Sequence, residues 1–406
     1  MIKLRSKIVL LTSLYASQIL PSAFFMEALP VFMRRQGVSL EIIGLTSLLI
    51  LPWMLKFLWS PLVDRFGWTR WGHYKSWILA TQSLLAFTLL TCSQFNVKAN
   101  PMLLIVALLI VATLAATQDI ATDALAIQLL SAKERGIGNG IQSAGSFFGR
   151  IIGGGVMLIV LNRLGWNLSL ICLAGMMLVS LIPILLYREQ PTPPLESNDN
   201  YFQQLLEGMR RRGIVRWMLI LMLYVTGRSL ASTMFSPLLV DIGFSIESIG
   251  GLSILTSIAG IIGSLGAGLS IESLGRKRSL LIFGMLEVVA LAGLILPSIG
   301  IIASPIIYTV AIFRSLVQGM TTTTVFTVMM DRSRLQTAGT DYTLQTAAYL
   351  IGHHIGIPSL SGFIAKAIGY QGLFIASTII CALGVVVVYR EFREDRASDS
   401  TALSCD

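Results

Sequence analysis

Charge is what this sequence has least of. Asp, Glu, Lys and Arg make up 13% of its 406 residues, about half the share usual in a soluble domain. Hydrophobic residues make up 54%, and the mean hydropathy is +0.75. A water-facing fold cannot hide that much apolar surface, so the bilayer has to act as part of the solvent. Cysteine is scarce too. Cys92, Cys172 and Cys381 lie in apolar runs and Cys405 in the tail, with no CxxC pair, which speaks against a disulfide framework or a metal site. No GxxxxGK[ST] loop occurs, which excludes a fused ATPase engine of that type. Nor is there a cleavable signal: basic Met1 to Lys7 leads into an apolar run that outlasts signal length without a small-residue cleavage site. The first run is expected to stay as a helix.

What is present is a series of apolar runs near the roughly 20 residues needed to cross a bilayer. Twelve are found, near 8–33, 40–62, 76–96, 101–130, 137–161, 166–187, 217–241, 247–270, 279–298, 304–330, 339–365 and 370–389; they are spans 1 to 12 below. With both termini on one side, that side collects 21 of the Lys and Arg residues, from Lys3 to Arg396, and the far side five: Arg34, Arg35, Lys98, Arg163 and Lys366. The positive-inside rule then puts both termini in the cytoplasm. The net charge of +9 is thereby a matter of topology, and no nucleic-acid partner is needed to explain it.

One long polar segment, Arg188 to Gly213, separates spans 6 and 7. Its Pro, Asn, Asp and Ser content followed by an Arg cluster reads as a cytoplasmic linker with a short surface helix. The expected organisation is a six-helix bundle over 1–187, a linker over 188–216, a second bundle over 217–390 and a tail over 391–406. The halves echo each other. "GVSLEIIG" (37–44) returns as "GFSIESIG" (243–250), and "LVDRFGWTR" (62–70) as "LSIESLGRKR" (269–278), which argues for a duplicated unit in parallel orientation.

The charged turn after span 2 resembles the signature loop of the major facilitator superfamily, Gly-x-x-x-Asp-Arg-x-Gly-Arg-Arg/Lys. Asp64, Arg65, Gly67 and Arg70 carry it here, with Ser60 in place of the first glycine. Asp64 is placed to accept hydrogen bonds from a helix N-terminus of the neighbouring half, and Gly67 to permit a tight turn. Together they are expected to latch the cytoplasmic gate. The resemblance implies an all-α polytopic membrane protein with twelve transmembrane helices in two pseudo-symmetric six-helix bundles. It also implies that spans 3, 6, 9 and 12 are peripheral and the other eight line a central cavity.

Eight ionisable residues fall within the spans: Glu27, Lys56, Asp119, Asp123, Arg150, Arg228, Glu287 and Arg314. Each costs about 2.5 to 3.5 kcal/mol at the centre of a lipid-facing helix, so they should face one another or water. Seven of the eight lie on cavity-lining spans; Glu287, on span 9, does not fit. Asp119 and Asp123 are four apart and share a helical face, which disfavours their joint ionisation unless a cation intervenes. Lys56 and Arg150 are the candidate cations, and the four residues form the expected proton-coupling set. Pro52 is expected to kink span 2 before Lys56.

The second half differs. Arg314, Gln318, Thr321 and Thr322 share a face of span 10 with no carboxylate, and span 7 adds Tyr224 and Arg228. Guanidinium forks suit carboxylates, so this half is expected to hold the substrate, with Glu27 across from it. His353 and His354 on span 11 point about 100° apart, so at most one squarely lines the cavity, and adjacent histidines suit no single metal. Glycine-dense "GIGNGIQSAGSFFGRIIGGG" on span 5 and "GIIGSLGAG" on span 8 offer small faces for close, sliding contact.

"LPWMLKFLWSPLVDR" with "TQDIATDALAIQLLSAKERGIGNGIQ" resembles the AmpG-like branch of the superfamily, which includes muropeptide permeases and the RhtX/FptX siderophore importers. The phrase "SLEIIGLTSLLILPWMLKFLWSPLVDR", and a length with no room for two further hydrophobic segments, tilt the likeness to the siderophore group. The resemblance implies proton-coupled import of a siderophore from the periplasm, by a cofactor-free monomer in the inner membrane. The alternative is an anhydromuropeptide permease. Lys56, Asp119 and Asp123 match charged positions of the branch. An enzyme is the competing class, since Asp-x-x-x-Asp also holds Mg²⁺ and diphosphate in intramembrane prenyltransferases. Those enzymes need a second Asp-rich segment, and Asp331 and Asp341 lack the spacing.

Overall fold

The structure, a computed structural model, describes residues 4–39, 42–43, 45–67, 70–95, 97, 101–189, 201–211, 213–354 and 357–393. These form helices and no strand, as bilayer residence demands of a chain that must satisfy every backbone donor within its own segment. Of the linker, 190–200 and 212 lie outside the described residues, as do tail positions 394–406 and, in the first repeat motif, Leu40, Glu41 and Gly44.

Among the described residues, eight helices are long and apolar enough to cross a membrane. Two of these, Arg135–Leu186 and Ala338–Glu391, run to 52 and 54 residues. At about 1.5 Å per residue each is more than twice as long as the roughly 30 Å hydrocarbon layer is thick. Each is divided by a glycine in a left-handed conformation, Gly165 (φ 77°) and Gly369 (φ 73°), which L side chains rarely adopt. Split there, and joined by the broken segment 45–65 and the more polar Ser304–Asp331, they give the twelve spans.

Three of the departures from regular helix lie beside charged groups in the membrane, in spans 1, 5 and 2. Span 1, Leu4–Arg35, carries Pro21, which cannot donate to the turn before it, and then opens into a π turn over Phe24–Ala28 that holds Glu27. Span 5 begins as Arg135–Arg150 and passes through a π turn at Ile151–Val156, with Gly153 and Gly154 buried against span 1. Span 2 is divided more thoroughly than a single proline kink predicts: 3₁₀ turns at Leu45–Ile50 and Lys56–Leu58 flank Leu51–Leu55, and Ser60–Arg65 follows. Lys56 therefore sits at a break in the helix, not in a continuous one. A helix does occur in the linker, Tyr201–Arg210.

The core falls into clusters. One lies within the first half around Phe24, Leu108 and Leu173, and another within the second around Leu230, Leu291 and Phe374. The third joins the halves near the end that carries the termini, where Leu125 and Ile127 cluster with Met329, Met330 and Tyr342.

Candidate functional site

The end bearing the termini is sealed by two seams between the halves. In the first, span 2 meets span 11. Asp64 is buried and accepts from the backbone N–H groups of Gly339 (2.9 Å) and Thr340 (2.7 Å), from the Thr340 hydroxyl (2.6 Å) and from Tyr74 (2.8 Å). It thus satisfies donors in the first turn of Ala338–His354, which have no partner within their own helix. In the second, span 5 meets span 8 through glycine. A Cβ on Gly136 would lie 2.8 Å from the Gly268 carbonyl oxygen, and one on Gly140 2.9 Å from that of Ser264. At its edge Asp331 pairs with Arg135 (3.0 Å) and Arg276 (2.7 Å).

Away from that end the halves part around a cavity of about 650 Å³. Glu27 and Arg150 stand on the first-half wall, and Arg314, Gln318 and His353 on the second, with Ser232, Ser236, Ser253 and Ser257 between apolar patches. Each arginine lies over an aromatic face, Arg150 over Phe147 (5.0 Å) and Arg314 over Phe235 (5.1 Å), an arrangement that holds a guanidinium while leaving its edge free for an anion. Arg314 also donates to Ser232 (2.8 Å). Two cations, one carboxylate and several hydroxyls suit a hydroxylated solute bearing acidic groups and an amine.

Beneath the cavity floor, the first half buries Lys56 (1% exposed) in an ion pair with Asp119. Asp123, one turn on, is held by neutral donors, Tyr15 and Gln142, both at 3.1 Å. The second half builds its set differently. Arg228 donates to Thr321 (2.9 Å), Thr322 (3.2 Å) and Tyr349 (3.1 Å), and Thr321 donates onward to Glu287 (3.0 Å). A hydroxyl stands between cation and anion where the first half has direct contact.

The profile of the Major Facilitator Superfamily matches residues 11–357. The chain belongs to that superfamily. Relatives include the anhydromuropeptide permease of Escherichia coli, 27% identical over 379 residues covering 91% of this chain and 76% of that one. The putative transporter AmpG 3 of Rickettsia prowazekii is 26% identical over 376 residues, covering 87% and 88%. Among solved structures, the human organic anion transporter MFSD10 superposes with a TM-score of 0.77 at 14% identity, over 96% of this chain and all of that one. The Rickettsia protein removes one argument made above: a chain of this length already carries the AmpG name, so length does not separate the two importer groups.

Within this superfamily fold, several expected site residues are not where the sequence put them. Arg150 does not pair with the helix 4 acids; it lines the cavity and interacts electrostatically with Glu27. Tyr224, Arg228 and Thr322 are absent from the cavity lining. Tyr224 donates to the Leu280 carbonyl (2.9 Å), and Thr322 is engaged by Arg228. His353 reaches the cavity while bonded to Ser229, whereas His354 packs edge-on against His353. Gly67 has no left-handed φ; the positive angle is at Gly72 (φ 106°), and Gly67 is instead pressed against the His73 ring. Arg65 lies near the Phe66 ring, and Arg70 is exposed. Asp331 and Asp341 lie on helices, in ion pairs. Glu287, without a place in the sequence reading, is buried inside the second bundle. Sequence reasoning missed Tyr15, Gln142, Tyr74 and Thr340. Only Gln142 was signalled, by its position on the small-residue span 5.

Proposed function

We propose that this protein imports anhydromuropeptides across the inner membrane with protons, by alternating access, as a monomer with both termini in the cytoplasm. The observation that carries the reading is a hydroxyl-lined cavity with two arginines and one glutamate, open away from the termini while two seams close the terminal end. An anhydromuropeptide offers matching chemistry, sugar hydroxyls joined to a peptide with carboxylates and an amine. The named relatives favour this cargo over an iron chelate, the reading to which the sequence phrases had leaned.

In this mechanism the bundles 1–187 and 217–390 rock about the cavity, with 188–216 as their tether. The uneven split of Lys and Arg sets the sealed end in the cytoplasm, so the conformation is outward-facing. Asp64 on the first turn of span 11 is the latch of the cytoplasmic gate. Asp123 is the proton carrier, since its hydrogen-bond donors among the described residues are neutral, whereas Asp119 is taken up by Lys56.

Uptake of labelled anhydromuropeptide by cells with and without the gene, set against uptake of radio-iron chelates, tests the cargo. Gene-dependent muropeptide accumulation is expected, and accumulation of the chelate alone would overturn it. For coupling, Asp123→Asn is expected to abolish proton-driven accumulation while leaving passive exchange, and undiminished accumulation would remove Asp123 from the role.

A further inference from the structure

The first-half acids account for coupling without using the other carboxylate sunk in the membrane. Glu287 is 2% exposed. Its Oε2 accepts from Thr321, and its Oε1 is buried with no hydrogen-bond partner among the described residues. Four titratable or charged groups act on it: Arg228 and Tyr224 from span 7, Arg314 from span 10 and Cys381 from span 12. Arg314 is the one among these that also lines the cavity. Its Nε is likewise buried without a partner. Arg314 lies seven residues, about two turns, before Thr321 on span 10 and so on the helix face that meets Glu287, and that same guanidinium lines the place where an acidic group of a solute would bind.

We propose that Glu287 is a second proton-binding site, linked through Arg314 to a carboxylate of the transported solute. The inference rests on the reading of the cavity as the binding site of an acidic cargo. A solute carboxylate at Arg314 adds negative charge near Glu287 and draws on one of the two cations that offset it, Arg228 being the other. Like charges brought together in a low-dielectric site disfavour the ionised form of the one free to take a proton. Protonation removes the charge from Oε1, the oxygen that has no donor and is costly to leave charged. The proton adds to Glu287 and no bond in the solute changes. Linkage is reciprocal: if cargo favours the proton on Glu287, that proton tightens cargo binding by the same factor, about 5- to 150-fold for a coupling of ordinary size.

Two measurements on Glu287→Gln decide this. In detergent-purified protein, affinity for labelled anhydromuropeptide is expected to weaken from acid to alkaline pH by about that factor, and Glu287→Gln is expected to bind tightly throughout, with most of the pH dependence gone. An unchanged pH dependence in the variant would overturn the proposal, whereas a purely structural role would lower affinity at all pH values alike. Infrared difference spectra of the cargo-free protein across the same pH range form the second arm. A carboxyl band that titrates in the wild type and is missing from Glu287→Gln supports a proton site; identical spectra defeat it. Should the muropeptide not bind the wild type, the cargo reading fails and the infrared arm still decides Glu287. If Glu287→Gln does not fold, Thr321→Val takes its place, and the same band must shift when the hydroxyl on Oε2 is removed.

Discussion

The two seams that close the end bearing the termini occupy equivalent places in two pseudo-symmetric halves, yet they are held by different chemistry. Where span 2 meets span 11, a broken helix delivers the Asp64 carboxylate to the N–H groups of Gly339 and Thr340. Where span 8 meets span 5, a continuous helix, Ile246–Leu274, lays Gly268 against Gly136 and Gly140. Counting back three from the glycine of each repeat pairs Asp64 with Glu272, but Glu272 is exposed and caps nothing. Ahead of span 5, the Glu134 carboxylate accepts from Ser131 and Lys7 and caps no N–H of the helix that follows. Each half closes its seam by its own contacts. One seam depends on an anion at a helix end and the other on steric closeness, so they should respond to different perturbations.

The largest effect is expected beneath the first seam, where the Lys56–Leu58 turn packs against Ala338–His354. Lys56→Ala takes the cation from the buried Asp119 carboxyl, a change expected to cost about 3–5 kcal/mol. The combined change Lys56→Met with Asp119→Leu should recover most of it. Thermal unfolding in detergent reads both, and equal losses in the single and combined variants would show that packing, not charge, is at stake. Next comes the second seam: Gly140→Val drives a branched side chain at the Ser264 carbonyl and should cost the closed state about 1–3 kcal/mol. Distances between spin labels across the cytoplasmic end should then report opening at spans 5 and 8 first. Asp64→Ala removes the acceptor from the first turn of span 11 and is expected to cost about 0.5–2 kcal/mol, as the loss of an N-cap does. Faster labelling of a cysteine placed on span 11 measures it, and unchanged labelling would exclude the latch. Smallest is Asp331→Ala, at about 0.2–1 kcal/mol. Its partly exposed pairs with Arg135 and Arg276 should weaken with salt, so a salt-sensitive effect would separate it from the other three in kind, and a salt-insensitive one would overturn this reading.

Much of this could be read in advance and some could not, with a definite boundary between them. Asp64 was expected at a helix end of the other half, because an acid after an apolar span has few uses except to meet donors there; that its target is span 11 follows from the folded bundle alone. The four-residue spacing of Asp119 and Asp123 put both on one face, yet their partners differ because spans 1, 2 and 5 arrive at different heights. Arg150 was assigned to those acids on charge alone. Gln142, eight residues earlier on the same helix, meets Asp123 instead, which leaves Arg150 about 12 Å further along the axis, at the cavity. Glu287 looked misplaced because span 9 was expected at the periphery. It turns inward to a threonine hydroxyl, a residue type whose pattern carries no signal of that kind.

Membrane residence and the number of spans were settled by the sequence alone, because both follow from local hydropathy and helical rise. Which charge meets which was decided only by the tertiary structure. Asp64 and Thr340 are 276 residues apart and Lys56 and Asp119 63, and a hydrogen bond or ion pair forms or fails over an ångström or so. That precision comes from breaks, π turns and glycine contacts that fix where each helix face points, and none of them leaves a period in the chain.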